Sequence, residues 1–346
     1  GGALNRLMVR ESKWTAARMN GSDFAVLAPG AEHPDEVARE IQNAFREVLD
    51  NHSMPEEIRL PGAATDFHRG DSVGELLTRL DGALLAVDRE GGSSITVARK
   101  GDIDMKPVRE QMLEWRKLFD TAFRKQLFST RQYPVLDRDG QLLHNETQIH
   151  LEWQDQSIDA ERIKPWVNRL EMSNELDQRL VDLALDRIQS DGQPVCVGLS
   201  AQSVTQRAFL SWITERLSTH ATLADKLWLD VPEATVFQHT SQFQKLKNRV
   251  GDHGCQIGIG HGGHRLVEMG QLQGTGLDYL KVDSSFTRGI DTNEVNQTLF
   301  HTLIRVGKAL KIKVIAEGVE TEKERAALLE LGADGFSGPA ANRVSG

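Results

Sequence analysis

The sequence predicts an α/β protein, a TIM-like barrel preceded by a smaller, partial α/β region. Three observations predict it. After residue 126, strand-like and helix-like segments alternate to the end of the chain, as in a parallel sheet with helical crossovers. A hairpin-like pair opens that series. Acidic residues follow several of the strand-like segments, at the strand ends where such a barrel carries its function.

In chain order, Ala3 to Glu11 is helix-like, so the chain opens directly in an element, as a piece of a longer protein would. Phe24 to Gly30 reads as a short strand ended by a turn. Pro34 to Val48 carries Val37, Ile41, Phe45 and Val48 at helical spacing, with Pro34 at a first-turn position that tolerates it. Ile58 to Ala64 reads as a strand, Ser72 to Asp88 as a helix, and Ser94 to Val97 as a strand after the break at Gly91-Gly92. A charged helix from about Met105 to Lys125 links this region, residues 1–100, to the barrel, residues 126–346, with the linker at 101–125. Arg131–Asp137 and Gln141–Trp153 form the hairpin around Asp139-Gly140. Helices at 171–189, 205–218 and 241–251 then alternate with strands at 194–199, 227–231 and 256–259. A strand at 279–282, helix 295–310, strand 313–316, helix 322–331 and a terminal segment 335–340 complete the series.

Composition is that of an ordinary globular chain, 39% hydrophobic and 26% charged over 346 residues. A formal net charge of -9 does not support direct nucleic-acid binding or adhesion to an anionic membrane. The basic run at 245–249 reads first as a solvated helix face. Cys196 and Cys255 lie far apart in strand-like contexts, which indicates neither a zinc motif nor a disulfide framework and fits a reducing compartment. No signal peptide and no apolar run of membrane-crossing length is present.

The stretch Leu280-Lys281-Val282-Asp283, followed by Val314-Ile315-Ala316-Glu317-Gly318-Val319-Glu320-Thr321, resembles the second half of the EAL domain. That resemblance implies a barrel that hydrolyses cyclic di-GMP with two Mg²⁺ or Mn²⁺ ions held by side chains at strand ends. On it, Glu146 in Glu146-Thr147-Gln148 is the signature glutamate and a metal ligand, while Gln148 stands for the leucine beside the nucleotide and His150 for a phosphate-binding arginine. Tyr133 takes the place of a glutamine. Gly198 replaces an asparagine ligand, and Glu233 in Asp230-Val231-Pro232-Glu233 keeps a ligand position. Gly260-His261 replaces a pair of aspartates, one of which bridges the two metals. Lys281, Asp283, Glu317 and Glu320 survive, and Ser337 replaces a terminal glutamine. Acids such as Glu317 and Glu320 also have a plain structural reading, as caps of the following helix.

Hard divalent ions need about six oxygen ligands, several of them anionic. Glu146, Glu233 and Glu317 then leave at most a weak Mg²⁺ or Mn²⁺ site, so no cofactor is expected and Lys281, Glu317 and Glu320 are vestigial catalytic residues. A nitrogen ligand from His261, with His264 nearby, would suit zinc or a later transition metal, against the plainer reading of a loop where nucleotide once bound.

Upstream, Met19-Asn20-Gly21-Ser22-Asp23-Phe24 resembles the hairpin signature of the GGDEF domain. Asn20 stands for its first glycine, Ser22 for a metal-binding acid and Asp23 for its glutamate. Asn20 crowds the nucleotide's approach and Ser22 removes a charge that magnesium requires. Leu80-Asp81-Gly82-Ala83-Leu84 resembles another helix of that domain, with Asp88 in place of its lysine, and Glu11 and Trp14 fall where its inhibitory arginine and aspartate would be.

The resemblance as a whole is to degenerate GGDEF–EAL tandem regulators of the CsrD or LapD class. It implies a catalytically inactive protein working through a protein partner, in control of biofilm, motility or regulatory RNA turnover. A non-hydrolysing cyclic di-GMP receptor and a residual phosphodiesterase using Glu146, Glu233, Lys281 and Glu317 are the alternatives. A homodimer stays open, although the altered 260–276 segment touches the usual dimer face. The resemblance also implies cytoplasmic domains, as in a longer inner-membrane-anchored protein.

Overall fold

The structure, a computed structural model, describes residues 13–18, 24–31, 33–51, 60–90, 95–98, 108–154 and 156–345. The expected helix Ala3–Glu11, the positions Asn20, Ser22 and Asp23, and the breaker Gly91-Gly92 lie outside the described residues. By its internal contacts the chain divides into two units, Gly1–Leu118 and Phe119–Gly346.

The first unit holds β1 (Thr15–Arg18), β2 (Phe24–Leu27), α1 (Pro34–Asn51), β3 (Gly62–Ala64), α2 (Val73–Glu90) and β4 (Ile95–Val97). β1 and β2 pair antiparallel, and β3 and β4 pair parallel. Both helices pack on the β3–β4 pair, where Ala83 and Ala98 are buried. Thr65 Oγ1 ties the end of β3 to Ala98 O at 2.6 Å. β1 was not read from the residue pattern itself, although the hairpin signature at 19–24 implies a strand on its near side.

The helix α3 (Val108–Lys125) includes residues on both sides of the division, and its expected start at Met105 lies outside the described residues. In the second unit, Phe119 and Phe123 from its end pack on Phe128, the first residue of β5 (Phe128–Asp137). There follow β6 (Leu142–Trp153), β7 (Gln156–Asp159), α4 (Ala160–Arg169), α5 (Ser173–Asp191), β8 (Val195–Gly198), α6 (Ala201–Thr205), α7 (Arg207–Thr219) and β9 (Leu227–Pro232). Next come α8 (Glu233–Gln238), α9 (Thr240–Gly251), β10 (Gln256–Gly262), β11 (Tyr279–Val282), α10 (Ser284–Thr287) and α11 (Glu294–Leu310). The chain ends with β12 (Lys313–Ala316), α12 (Glu322–Leu331), β13 (Gly335–Ser337) and α13 (Pro339–Ser345).

The strands run in the order β5-β13-β12-β11-β10-β9-β8-β6, and the β5–β6 pairing closes the ring, with β7 attached outside it. Tight hairpin geometry makes β5 antiparallel to β6, whereas the helical crossovers make the neighbours from β6 through β13 parallel. Asp137 shapes the hairpin turn by accepting from the N–H groups of Asp139 and Gln141, and Gly140 takes the left-handed backbone it needs.

The expected strand and helix series is present. Its differences are local. β7 and α4 were not foreseen, because the 156–169 stretch is polar and Pro165 interrupts its helical pattern. The helix expected at 205–218 is α7, and the short α6 before it, set off by the extended backbone at Gln206, was not foreseen. β10 runs past Ile259 to Gly262, with a register shift between those residues. Lys247, from the basic run, pairs with Asp278 at 2.5 Å. Among the described residues no helix is long and apolar enough to cross a membrane.

Candidate functional site at the barrel mouth

Side chains alternate in and out along each barrel strand, so residues two apart share the interior. The lower interior is filled by Val135, Cys196, Trp228, Tyr279 and Ile315. One step further along the strands, Glu146, Asp230, Lys281 and Glu317 form the upper layer, each two residues beyond His144, Trp228, Tyr279 and Ile315. Hydrophobic strand neighbours such as Leu229, Leu280 and Val282 are fully buried and pack behind the ring.

Lys281 is 0% exposed, and its Nζ lies 2.8 Å from Glu146 Oε1 and 2.8 Å from Asp230 Oδ2. Burial works against its charge, but Asp230 foremost, with Glu146 and Glu317, outweighs burial and raises its pKa well above the ordinary lysine value. Cys196 Sγ is 3.4 Å from the same ammonium, yet burial and the nearby carboxylates push the thiol's pKa well up and keep it neutral. The Tyr279 hydroxyl lies 2.8 Å from both Leu229 O and Asp230 Oδ1 and donates to one of them. Asp230 thus accepts from Lys281 through Oδ2 and has the Tyr279 hydroxyl within hydrogen-bond reach of Oδ1.

The structure corrects the ligand assignment on this strand. Glu233, expected as a metal ligand, is turned to the following loop and accepts from the backbone N–H groups of Gly263 at 2.9 Å, His264 at 3.2 Å and Arg265 at 3.3 Å. Asp230 is the acid that faces Glu146 and Lys281. Strand alternation carried the signal: Trp228 is an interior residue, and Asp230 shares its face. Tyr279, Cys196 and His144 were likewise not singled out as site residues, because apolar or aromatic strand positions read as ordinary core.

Beside this layer, His261 Nδ1 lies 2.7 Å from Glu317 Oε2 and 3.9 Å from Asp283. His261 holds a left-handed backbone, φ 51°, at the end of β10. The Glu317 carboxylate, by direct side-chain bonding and by its charge, raises the His261 pKa to about 9. The ring is 81% exposed, so water screens much of that attraction. Burial raises the pKa of Glu317, which His261 opposes. One donor atom from each of His261, Asp283 and Glu317 lies within 4.8 Å of the others. A nitrogen and two oxygens suit a single later transition metal better than magnesium.

The remaining expected positions are dispersed. Tyr133 pairs in register with Glu146 and is partly exposed, and Gln148 follows on β6 opposite Arg131. His150, buried with neither ring nitrogen hydrogen-bonded, has its pKa lowered by burial and then by Arg131. The Ser337 carbonyl accepts from Val319 N. Glu320 lies at the surface beside Arg288, and the cap of α12 is formed by Thr321 with Glu324, in a reciprocal capping box. A Cβ at Gly198 would meet nothing within 4 Å, so that position offers room and no ligand.

A two-metal centre does not fit these residues. Glu146 and Asp230 are bound to Lys281, Glu233 is bound to backbone, and positions 198 and 260 have no side chain.

His144 gives a test of the interior. It is fully buried against Trp228, 4.4 Å between ring centroids, and neither nitrogen is hydrogen-bonded. Burial, then Lys281 and Lys313, hold its pKa well below 6.5. The unfolded chain therefore takes up a proton below about pH 6.5 that the folded chain refuses, and stability falls as pH drops through that range. His144→Phe is expected to raise stability by about 1 kcal/mol at neutral pH and to reduce the acid-side loss, read from urea melts at several pH values.

A closed barrel with carboxylates and a lysine at the C-terminal ends of its strands has the layout of TIM-type barrels, which carry their functional residues at that end. The EAL domain model matches residues 116–343, and the chain belongs to the EAL domain family. The RNase E specificity factor CsrD of Escherichia coli is 20% identical over 339 residues, covering 97% of this chain and 52% of that protein. The cyclic di-GMP phosphodiesterase PdeF of E. coli is 24% identical over 258 residues, 73% of this chain and 33% of that protein. The chain thus spans about half, or less, of these relatives' length. Among solved structures, Vibrio cholerae LapD S helix-GGDEF-EAL bound to c-di-GMP superposes with a TM-score of 0.75 at 20% identity, covering 97% of this chain and 82% of that one. The chain is related to the GGDEF–EAL tandem signalling proteins of bacteria.

Proposed function

We propose that this chain is a catalytically inactive GGDEF–EAL regulator that acts through protein–protein contacts in cyclic di-GMP-linked signalling. One observation carries the reading: of the three carboxylates in the upper layer, Glu146 and Asp230 are engaged by Lys281 and Glu317 by His261, while positions 198 and 260 are glycine. Two-metal hydrolysis activates water between two ions, and this mouth lacks the ligands to hold such a pair. The CsrD type is the nearer functional analogue, because the positions for nucleotide and phosphate contact are Gln148, His150 and Ser337. The GGDEF-like assignment of the first unit rests on residues 19–24 and 80–84 and on the tandem architecture of the relatives.

The competing reading is a cyclic di-GMP receptor, favoured by the likeness to a LapD structure bound to that nucleotide. Titration calorimetry of the purified chain with cyclic di-GMP, with and without Mn²⁺, separates the two when the recovered nucleotide is checked for cleavage. The expected result is intact nucleotide and no saturable heat. Binding without cleavage would favour the receptor, with Lys281→Ala weakening it. Cleavage would sink the proposal.

A further inference from the structure

The first half of β5 has a strand neighbour on one side only. β13 pairs with β5 from Val135 to Asp137. Before Val135, β5 has β6 on one edge and, among the described residues, no strand on the other. The ladder decides which residues present their main chain to that open edge. Glu152 N donates to Leu127 O directly across from it, and in an antiparallel pair such bonded positions recur at every second residue. Ser129, Arg131 and Tyr133 therefore turn their N–H and C=O groups to β6, while Phe128, Thr130 and Gln132 turn theirs outward. Two further observations agree. Asn145, opposite Pro134, donates its N–H away from β5 to Pro194 O. Pro134, which has no N–H to offer, falls on the outward series, the place where a strand tolerates proline.

The outward N–H groups of Thr130 and Gln132 meet no main-chain acceptor among the described residues. Beside the same stretch lies an open groove of about 460 Å³, lined by Phe128, Thr130 and Gln132 and by Leu183, Arg187 and Ser190 of α5. The Gln132 side chain brings a buried amide nitrogen, Nε2, that has no hydrogen-bond partner.

An open edge of this kind is completed by another strand. Self-pairing is the arrangement that these residues fit. With Thr130 on a two-fold axis, two copies of β5 run antiparallel, Thr130 faces Thr130, and Phe128 faces Gln132. All are outward positions, so each facing pair exchanges two main-chain hydrogen bonds. Arg131 then stands opposite Ser129, and no like charges meet. An axis at Arg131 would set that arginine against itself, and an axis at Gln132 would set Thr130 against Pro134, which cannot donate. About Thr130, the unpartnered Gln132 amide also gains the Thr130 hydroxyl of the second copy as a diagonal neighbour on its own face.

We propose that two copies of this chain pair through the open edge of β5, antiparallel about Thr130, and so join their β5–β6 hairpins into one continuous sheet. The contact uses none of Glu146, Asp230, Lys281, His261, Asp283 or Glu317, and it holds whether or not the barrel mouth turns over nucleotide.

Sedimentation velocity of the full chain over a concentration series is expected to show a monomer–dimer equilibrium. Thr130→Pro removes the central outward N–H and spares the bonds to β6, and Pro134 shows that this strand accepts proline at such a position. It is expected to weaken dimerisation by about tenfold or more while circular dichroism stays unchanged. Thr130→Cys puts two thiols across the axis at a Cα spacing of about 5.5 Å, which a disulfide spans, so oxidation with diamide is expected to yield a cross-linked dimer. Tyr133→Cys, exposed but far from the axis, is expected to yield none. Cys196 and Cys255 are buried and do not compete. A chain that stays monomeric at high micromolar concentration would overturn the inference and leave the edge to a strand of another protein. A dimer that ignores Thr130→Pro and is not captured through Thr130→Cys would also overturn it, by placing the contact on another face. Where Thr130→Pro does not fold, the cross-linking pair decides alone.

Discussion

In metal-free buffer at neutral pH, Lys281→Met is expected to destabilise the barrel by about 3 kcal/mol, because removing one member of a buried ionic cluster leaves uncompensated charge. The lysine is fully buried, and its loss leaves Glu146 and Asp230 facing one another with nothing between them. Their side chains retain 29% and 19% exposure, so water reaches both, and the effect belongs at the lower end of the usual range for such losses. Methionine keeps the length of the stem, so packing is nearly conserved and the charge is what changes. Urea melts of wild type, Lys281→Met, Asp230→Asn and the double variant form a cycle in which the double variant is expected to be more stable than Lys281→Met alone. A double variant as unstable as the sum of the two would show that lysine acts by packing.

Gly258→Ala is expected to cost about 3 kcal/mol or to prevent accumulation of folded protein, at the upper end of what overpacking exacts. A Cβ at Gly258 would lie 2.3 Å from two atoms of the Tyr279 ring, well inside van der Waals contact. Tyr279 has no room to move away. It is fully buried, lies 4.9 Å from Trp228 between ring centroids, and its hydroxyl is tied to the Leu229–Asp230 end of β9. The test is thermal unfolding of Gly258→Ala with and without Tyr279→Leu. Tyr279→Leu alone destabilises, since it leaves a cavity, yet in the Gly258→Ala background it is expected to recover part of the loss. Additive losses would mean that the added methyl is accommodated elsewhere.

The barrel was legible because its parallel strands and amphipathic helices alternate with little ambiguity; β11, β12 and α12 begin and end where the periodicity placed them. Short or composite elements were less legible. α6 was not read at all, because five residues are too few to show a helical period. The site was legible at Glu146, Lys281 and Glu317, whose residue types match what the resemblance requires. It was misread at β9, where two acids three residues apart compete for one role. Which of them faces the axis is decided by the two-residue period of the strand, which sets Asp230 with Trp228 inside the ring. The ion pair of His261 with Glu317 could not be read from sequence at all, because it depends on a left-handed backbone at a non-glycine residue and on proximity across the barrel.

The glycines at 198 and 260 differ in what they allow a descendant of this sequence to regain. At 198 a new side chain would enter open space, so an asparagine there is a near-neutral change, reachable in either direction. At 260 any new side chain would press on Asp230, which is itself committed to Lys281 and Tyr279. A return to an aspartate at 260 would require Asp230 to give by a few tenths of an ångström while a second carboxylate is brought beside it. Change is thus unopposed by packing at one of the two positions, while at the other it is coupled to the placing of a single neighbouring acid.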